Sequence, residues 1–276
     1  MIVIHPIKFW SLQLIFHMTI KTSLITGASS GIGYELAKQF AKNKINLVLV
    51  SRSENKLKEL AQELSKEFGV TCHVISKDLS NYHTAKEIYE ECTNKNIQID
   101  YLVNNAGFGD YGFFHESSWL KQEEMINLNM TTLTYLTHLF LPNMIKNKHG
   151  KILNVASTAA FQPGPLMSVY YATKAYVLSF SEALSNELED KGITVTALCP
   201  GPTESDFLNK ANLGESKLFK RKIPSSKDVA EYGYQAMMKG KVVAIHGFMN
   251  AIMVNAVRFA PRSFVRKMVR VIQGKA

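Results

Sequence analysis

Residues 22–33, TSLITGASSGIG, decide how this chain is read. Thr22 to Thr26 form a short run of strand-forming residues. It passes at once into a turn carrying Gly27, Gly31 and Gly33, and an amphipathic stretch opens at Tyr34. Such a turn leaves main-chain amides and a helix N-terminus facing one point, the arrangement that holds a pyrophosphate. Ser29, Ser30 and Ile32 complete the turn. The spacing is G-x3-G-x-G rather than the G-x-G-x-x-G of other dinucleotide turns. Glycines between strand and helix also serve purely structural ends, so the rest of the chain has to support the reading.

It does so by repetition. NLVLVS (46–51), CHVIS (72–76), YLVNNA (101–106), KILNVAS (151–157), TVTALCP (194–200) and VVAIHG (242–247) are further short apolar runs ending near Gly, Asn, Ser or Pro. Buried parallel strands have this look. Helical patterns lie between them. In residues 53–68, Leu57, Leu60, Ala61, Leu64 and Phe68 share one face, with Glu and Lys opposite. Strands alternating with helices predict α/β architecture, a doubly wound seven-stranded parallel sheet with helices on both faces. No linker, repeat or low-complexity segment divides the chain, so a single domain is expected.

The bulk properties narrow the function classes. The 276 residues are 46% hydrophobic and 20% charged, which suits a packed globular core. Cys72, Cys92 and Cys199 form no CxxC pair and predict reduced thiols in a cytoplasmic protein. The eight histidines make no metal-binding cluster, so no metal is expected. A net charge of +9 asks for an anionic partner. No basic run is interleaved with aromatics, and nucleic acid is not expected. Residues 1–17 read as an N-terminal extension, too short in its apolar part and too interrupted to span a bilayer.

Two constellations carry chemistry. The first sits one strand-helix-strand step after the glycine turn, where an acidic residue at the end of the second strand would bind the adenosine ribose of NAD. Ser51 and Arg52 stand there instead. A guanidinium can clamp a 2′-phosphate that a carboxylate would repel, which favours NADP(H). The second is Ser157, Tyr170 and Lys174. Tyr170 and Lys174 are four apart on a helical pattern and share a face. At roughly 5 Å and an effective dielectric of about 20, the cation would favour phenolate by about 3 kcal/mol. That is a fall of roughly 2 pKa units, toward the working range of an acid/base group. Ser157, at a strand end, could hold a substrate oxygen. Position alone leaves Tyr171 as an alternative to Tyr170.

Together TGASSGIG, KDLS (77–80), NNAG (104–107), the strand-end Ser157, YYATK (170–174) and PGPT (200–203) resemble the short-chain dehydrogenase/reductase family in order and spacing. The resemblance covers residues 20 to about 250. It implies a Rossmann-like fold and an oxidoreductase interconverting a carbonyl and an alcohol. The family's Ser and Tyr are 13 positions apart, as Ser157 and Tyr170 are, so the resemblance selects Tyr170 as acid/base. It also implies further roles. Asn129 would hold a water that relays protons to Lys174, and Lys174 would also grip the nicotinamide ribose. Asp78 and Leu79 would contact adenine, and Asn105, Ala106 and Gly107 would line the ribose region. Pro200, Gly201 and Thr203, with Ser205 as an alternative to Thr203, would cover the nicotinamide. Homo-oligomers are common in the family and are expected here.

The substrate is read from the remainder. Residues 204–226 are expected to form a lid, with Phe207, Leu208, Leu213, Leu218 and Phe219 beside the basic run Lys220–Lys222. FGDYGFF (108–114) offers a second apolar wall. These suggest a lipophilic, acyl-like ketone or aldehyde with an anionic handle. The catalytic domain would span 18–248, followed by a basic helical tail at 249–276. The tail could close the pocket, pair subunits or lie on an acidic membrane. Two rival readings are a catalytically silent NADP(H) sensor and a serine hydrolase using the G-x-S-x-G match at 27–31. The hydrolase reading leaves Ser157, Tyr170 and Lys174 without a role.

Overall fold

The computed structural model describes residues 20–204 and 223–274. The extension 1–17 and nearly all of the expected lid, including Ser205, Phe207 to Phe219 and Lys220–Lys222, lie outside the described residues.

Among the described residues, seven strands form one wholly parallel sheet. They are β1 Thr22–Thr26, β2 Asn46–Ser51, β3 Cys72–Ser76, β4 Tyr101–Asn104, β5 Gly150–Val155, β6 Ile193–Cys199 and β7 Val243–Ile245. Their order is β3-β2-β1-β4-β5-β6-β7. The winding reverses between β1 and β4, and ligands of open α/β sheets bind at that switch point, beyond the strands' C-terminal ends.

Alternation along each strand divides the core into two layers. Ile25, Leu47, Leu49, Val103, Leu153 and Leu198 face one layer of helices: α1 (Gly31–Lys42), α2 (Glu54–Phe68) and α7 (Ser226–Met238). Their neighbours Leu24, Val48, Val50, Leu102, Ile152 and Val195 face α3 (Thr84–Asn94), α5 (Leu133–Lys146) and α6 (Ser168–Glu187). A period of two with both faces apolar is what a sheet covered on both sides requires. The helix read at 53–68 forms over 54–68, with Leu57, Leu60 and Leu64 buried. Gly69 ends it at φ +67°, the left-handed cap that suits glycine.

α4 (Trp119–Ile126) runs into α5 through a π-helical stretch, Asn127–Thr132. The tail forms two further helices, α8 (Phe248–Ala256) and α9 (Arg262–Gln273). α9 packs its Val265 and Val269 against Ala159, Met167 and Tyr171. It thereby closes one side of the space above the sheet.

Candidate active site

A cavity of about 950 Å³ opens above the C-terminal ends of the strands, at the upper end of the range for ligand sites. Gly27, Ser29, Ser30, Gly31 and Ile32 form its floor at the start of α1. Gly27 and Gly31 have φ of +67° and +58°, which a side chain would strain. No side chain caps the N-terminus of α1 and its first turn holds no acid. The donor end of the helix is therefore left for an anion.

The turn is braced from β4. Asn105 donates through Nδ2 to the carbonyls of Thr26 (2.9 Å) and Gly27 (3.3 Å). Thr26 Oγ1 donates to Val103 and accepts from the amides of Asn105 and Ala106. Asn105 lines the cavity, with its side-chain amide engaged in holding the turn. Gly33 lies behind the wall. A Cβ there would stand 2.3 Å from the Gly27 oxygen and 2.4 Å from Asn105 Nδ2, so the close approach itself demands glycine.

Arg52 lies at the far end of the cavity beside Ser51, Lys77, Asp78 and Leu79. Its guanidinium is 3.9 Å from the Asp78 carboxylate, with both side chains more than half exposed. Leu79 is buried, and its carbonyl is held by Thr132 Oγ1 at 2.7 Å.

At the other end stand Ser157, Tyr170 and Lys174, with Ala106, Gly107, Pro200, Gly201 and Thr203 around them. Ser157, following β5, has extended backbone; its Oγ accepts from Ala159 N (3.1 Å) and donates to the Pro200 carbonyl (3.4 Å). It also hydrogen-bonds Tyr170. The hydroxyl of Tyr171 is instead taken by Gln273 Nε2 from α9. The two tyrosines that adjacency could not separate thus face different partners.

One electrostatic expectation is overturned. Burial pushes the Tyr170 phenol well above its ordinary value, against a smaller downward pull from the Ser157 hydrogen bond. The Lys174 ammonium sits 5.8 Å from the centre of the Tyr170 ring and donates to the Val155 carbonyl at 2.7 Å. Lys174 is itself buried, and desolvation holds it down at about 8. Desolvation therefore outweighs the attraction computed from spacing alone. The phenol is therefore protonated and neutral.

Asn129 lies in the π-helical stretch, 1% exposed and behind the cavity wall. Its amide bonds both main-chain groups of Phe108 and donates to Thr173 Oγ1, which in turn donates to the Tyr170 carbonyl. A Cβ on Gly107 would meet Asn129 Oδ1 at 2.9 Å and Lys174 Nζ at 3.4 Å. The glycine thus leaves a gap bordered by both polar atoms.

Two contributors leave no signal in spacing: Thr26 reads as a strand end and Thr173 as an interior residue of YYATK. The apolar half of the cavity comes from Met167, Tyr171 and the tail: Met253, Val254, Val257, Phe264, Val265, Met268, Val269 and Ile272. The three-to-four residue spacing of the tail's apolar positions was the available signal. Of the wall expected from 108–114, Phe108 lines the cavity; Phe113 and Phe114 are exposed. Tyr111 instead donates to the Gln273 carbonyl at 2.6 Å.

A family model described as short chain dehydrogenase matches residues 21–216. The chain belongs to the short-chain dehydrogenase/reductase family. This is a family of oxidoreductases acting on CH–OH groups. Among similar members, a very-long-chain 3-oxoacyl-CoA reductase of Rattus norvegicus is 36% identical over 64% of this chain and 58% of its own length. A 3-oxoacyl-acyl-carrier-protein reductase of Aquifex aeolicus is 31% identical over 74% of this chain and 82% of its own length. The match spans less than two thirds of the first of these relatives. A short-chain dehydrogenase of Sphingobium yanoikuyae, solved with NADPH, superposes with a TM-score of 0.78 at 31% identity, covering 90% of this chain and 97% of that one. A bulky-bulky ketone specific alcohol dehydrogenase of Comamonas testosteroni gives 0.74 at 30%, covering 90% and 96%.

Proposed function

We propose that this short-chain dehydrogenase/reductase reduces a lipophilic ketone or aldehyde to an alcohol with NADPH. The observation that carries the proposal is the presence, in one cavity, of the glycine turn and Arg52 at one end and Ser157, Tyr170 and Lys174 at the other.

The residues fit a dinucleotide. The open N-terminus of α1 and the turn at 27–33 would take the pyrophosphate. Arg52 would take a 2′-phosphate: its exposed pairing with Asp78 contributes only about 0–1 kcal/mol, which a dianion at the same guanidinium would outcompete. Asp78 and Leu79 would border adenine. Asn105, Ala106, Gly107 and Lys174 would border the riboses, and Pro200, Gly201 and Thr203 the nicotinamide. When bound, the cofactor supplies the hydride.

The chain supplies the proton and holds the oxygen. Tyr170, half-buried at the cavity wall and neutral there, donates its proton to the carbonyl oxygen, while Ser157 donates a hydrogen bond to the same oxygen as charge develops. Lys174 and Asn129 border the gap over Gly107, from which a water would return a proton toward Tyr170. The apolar wall from α8 and α9 argues for a lipophilic substrate. The relatives named as 3-oxoacyl and bulky-ketone enzymes agree with that class. A cytoplasmic location, in keeping with three free cysteines, a homo-oligomeric state and peripheral contact of the tail with a membrane belong to the same reading.

The test is a fluorescence titration with NADPH and NADH, followed by NADPH consumption over a panel of ketones and aldehydes. Arg52→Asp should weaken NADPH about 10- to 100-fold, the worth of one or two charge-assisted hydrogen bonds, with little effect on NADH. Tyr170→Phe should bind NADPH and abolish turnover. Equal binding of both nucleotides in wild type and Arg52→Asp would refute the cofactor assignment. Turnover retained in Tyr170→Phe would refute the proton donor.

A further inference from the structure

We propose that the face formed by α8, α9 and Phe113 docks on an anionic lipid bilayer, and that the carbonyl substrate enters the cavity from the lipid. The second half rests on the lipophilic-substrate reading; docking does not.

More than half of the exposed large apolar side chains among the described residues fall between 248 and 272. Phe259 is 90% exposed, Phe248 79% and Val271 71%. Scattered singly, such residues would be ordinary; gathered on two adjoining helices, they mark a contact surface. On α9, Val265, Val269 and Gln273 are turned into the protein. At 3.6 residues per turn, Phe264, Met268, Val271 and Ile272 form the next sector and Arg266, Lys267 and Arg270 the remaining one. Apolar surface is therefore wider than the protein covers, with cations beside it. On α8, Phe248, Met249, Ile252 and Met253 share an exposed face. Arg270 lies over the ring of Phe113 at 4.9 Å, joining the 108–114 segment to this surface.

Two features choose the occupant. The first is charge. From Tyr232 to Ala276 the chain has eight Lys or Arg and no Asp or Glu. A second copy meeting this face about a two-fold axis would set the cations against one another. A nucleic acid would neutralise them and leave Phe259 and Val271 uncovered. A bilayer with acidic headgroups meets both needs, as amphipathic helices lying in the interface do. At 12 residues, α9 is too short to cross the hydrocarbon layer and suited to lie on it. The second feature is the mouth. Met253, Phe264, Met268 and Ile272 line the cavity and are also exposed, so the apolar wall continues outward onto the docking face. A lipid-dissolved ketone could pass from bilayer to Tyr170 along apolar surface throughout.

The experiment is flotation of the full chain with vesicles of phosphatidylcholine alone and of phosphatidylcholine with phosphatidylglycerol. Binding to the anionic vesicles is expected, weakening as salt rises. Arg266→Ala with Lys267→Ala should reduce it about thirtyfold, from the contribution of two cations at such a surface. Phe259→Glu with Val271→Glu should abolish it while leaving NADPH binding and turnover of a small water-soluble ketone unchanged, since neither side chain lines the cavity. For a long-chain ketone supplied in anionic vesicles, that variant should lose kcat/KM, and regain it when the ketone is carried in detergent. Failure to float, or flotation untouched by these substitutions, overturns docking. A dimer in sedimentation that dissociates in Phe259→Glu also overturns it, assigning the face to a second copy. Flotation with no ketone turned over by any route overturns delivery and the substrate reading, and leaves docking standing.

Discussion

Replacing Gly33 by alanine sets two effects of known size against each other. Gly33 is a helical residue at the start of α1, and alanine in a helix is favoured over glycine by about 1 kcal/mol. The added Cβ, however, would stand 2.3 Å from the Gly27 carbonyl oxygen and 2.4 Å from Asn105 Nδ2. Neither neighbour can swing away. The Gly27 amide is bonded to Val50 at 2.8 Å, and Asn105 Nδ2 holds Thr26 at 2.9 Å. Relief requires backbone movement, at about 1–3 kcal/mol for overpacking, and loss of a hydrogen bond worth about 1 kcal/mol. The clash wins, by about 1–3 kcal/mol net, and Tm should fall by roughly 3–10 °C. Because the displaced atoms form the cavity floor, NADPH should also bind less tightly in a fluorescence titration. Gly233→Ala in α7 is the control: its Cβ would meet the end of the Leu198 side chain at 2.6 Å, which can rotate, and the loss should be smaller. A Gly33→Ala protein with raised Tm and unaltered NADPH affinity would refute the argument from close approach.

Lys174 gives a prediction in pH. Its folded value of about 8 lies below the ordinary lysine value, so above about pH 8 the unfolded chain binds a proton that the folded one has released. Stability should therefore rise by about 2–3 kcal/mol between about pH 8 and 10, relative to Lys174→Met. Denaturant titrations of the two proteins across that window check it; identical pH dependence would sink the assignment. Gln273→Ala should leave the buried Tyr171 hydroxyl without its α9 partner, lowering stability by about 1–3 kcal/mol. KM for a lipophilic ketone should rise while NADPH affinity holds, and an equal loss of both would show that α9 supports the whole site.

Much of this molecule was legible before any coordinates. The seven strands stand where short apolar runs met turn residues, because parallel strands buried on both faces cannot hide among polar sequence. The site residues were legible as far as spacing carries them: four residues on α6 bring Tyr170 and Lys174 to one cavity. Spacing says nothing of burial, and so the phenol's electrostatics came out with the wrong sign. Family likeness alone points to Asn129, and its bonds to Phe108 and Thr173 need the π-helical stretch, whose extra residue per turn leaves no mark in composition. The helical spacing of the tail admits three uses: closing the pocket, pairing subunits or lying on a membrane. Only packing shows Val265 and Val269 against Tyr171, since that contact joins residues almost a hundred positions apart.

The cavity draws its two halves from opposite ends of the chain. Strand ends of the first 200 residues shape the part facing Arg52 and Tyr170, while the last thirty residues shape much of the apolar part. The joint between them runs along both terminal helices: Gln273 reaches Tyr171 and Tyr111, Val265 and Val269 pack beneath, Arg270 lies over Phe113, and Asn250 stands against Gly201. A scaffold jointed in this way can exchange one half while keeping the other. Grafting a different terminal pair of helices, with these joining contacts retained, would reshape the apolar half of the cavity while leaving the strand-end half in place, and recombination in nature could diversify such folds by the same cut.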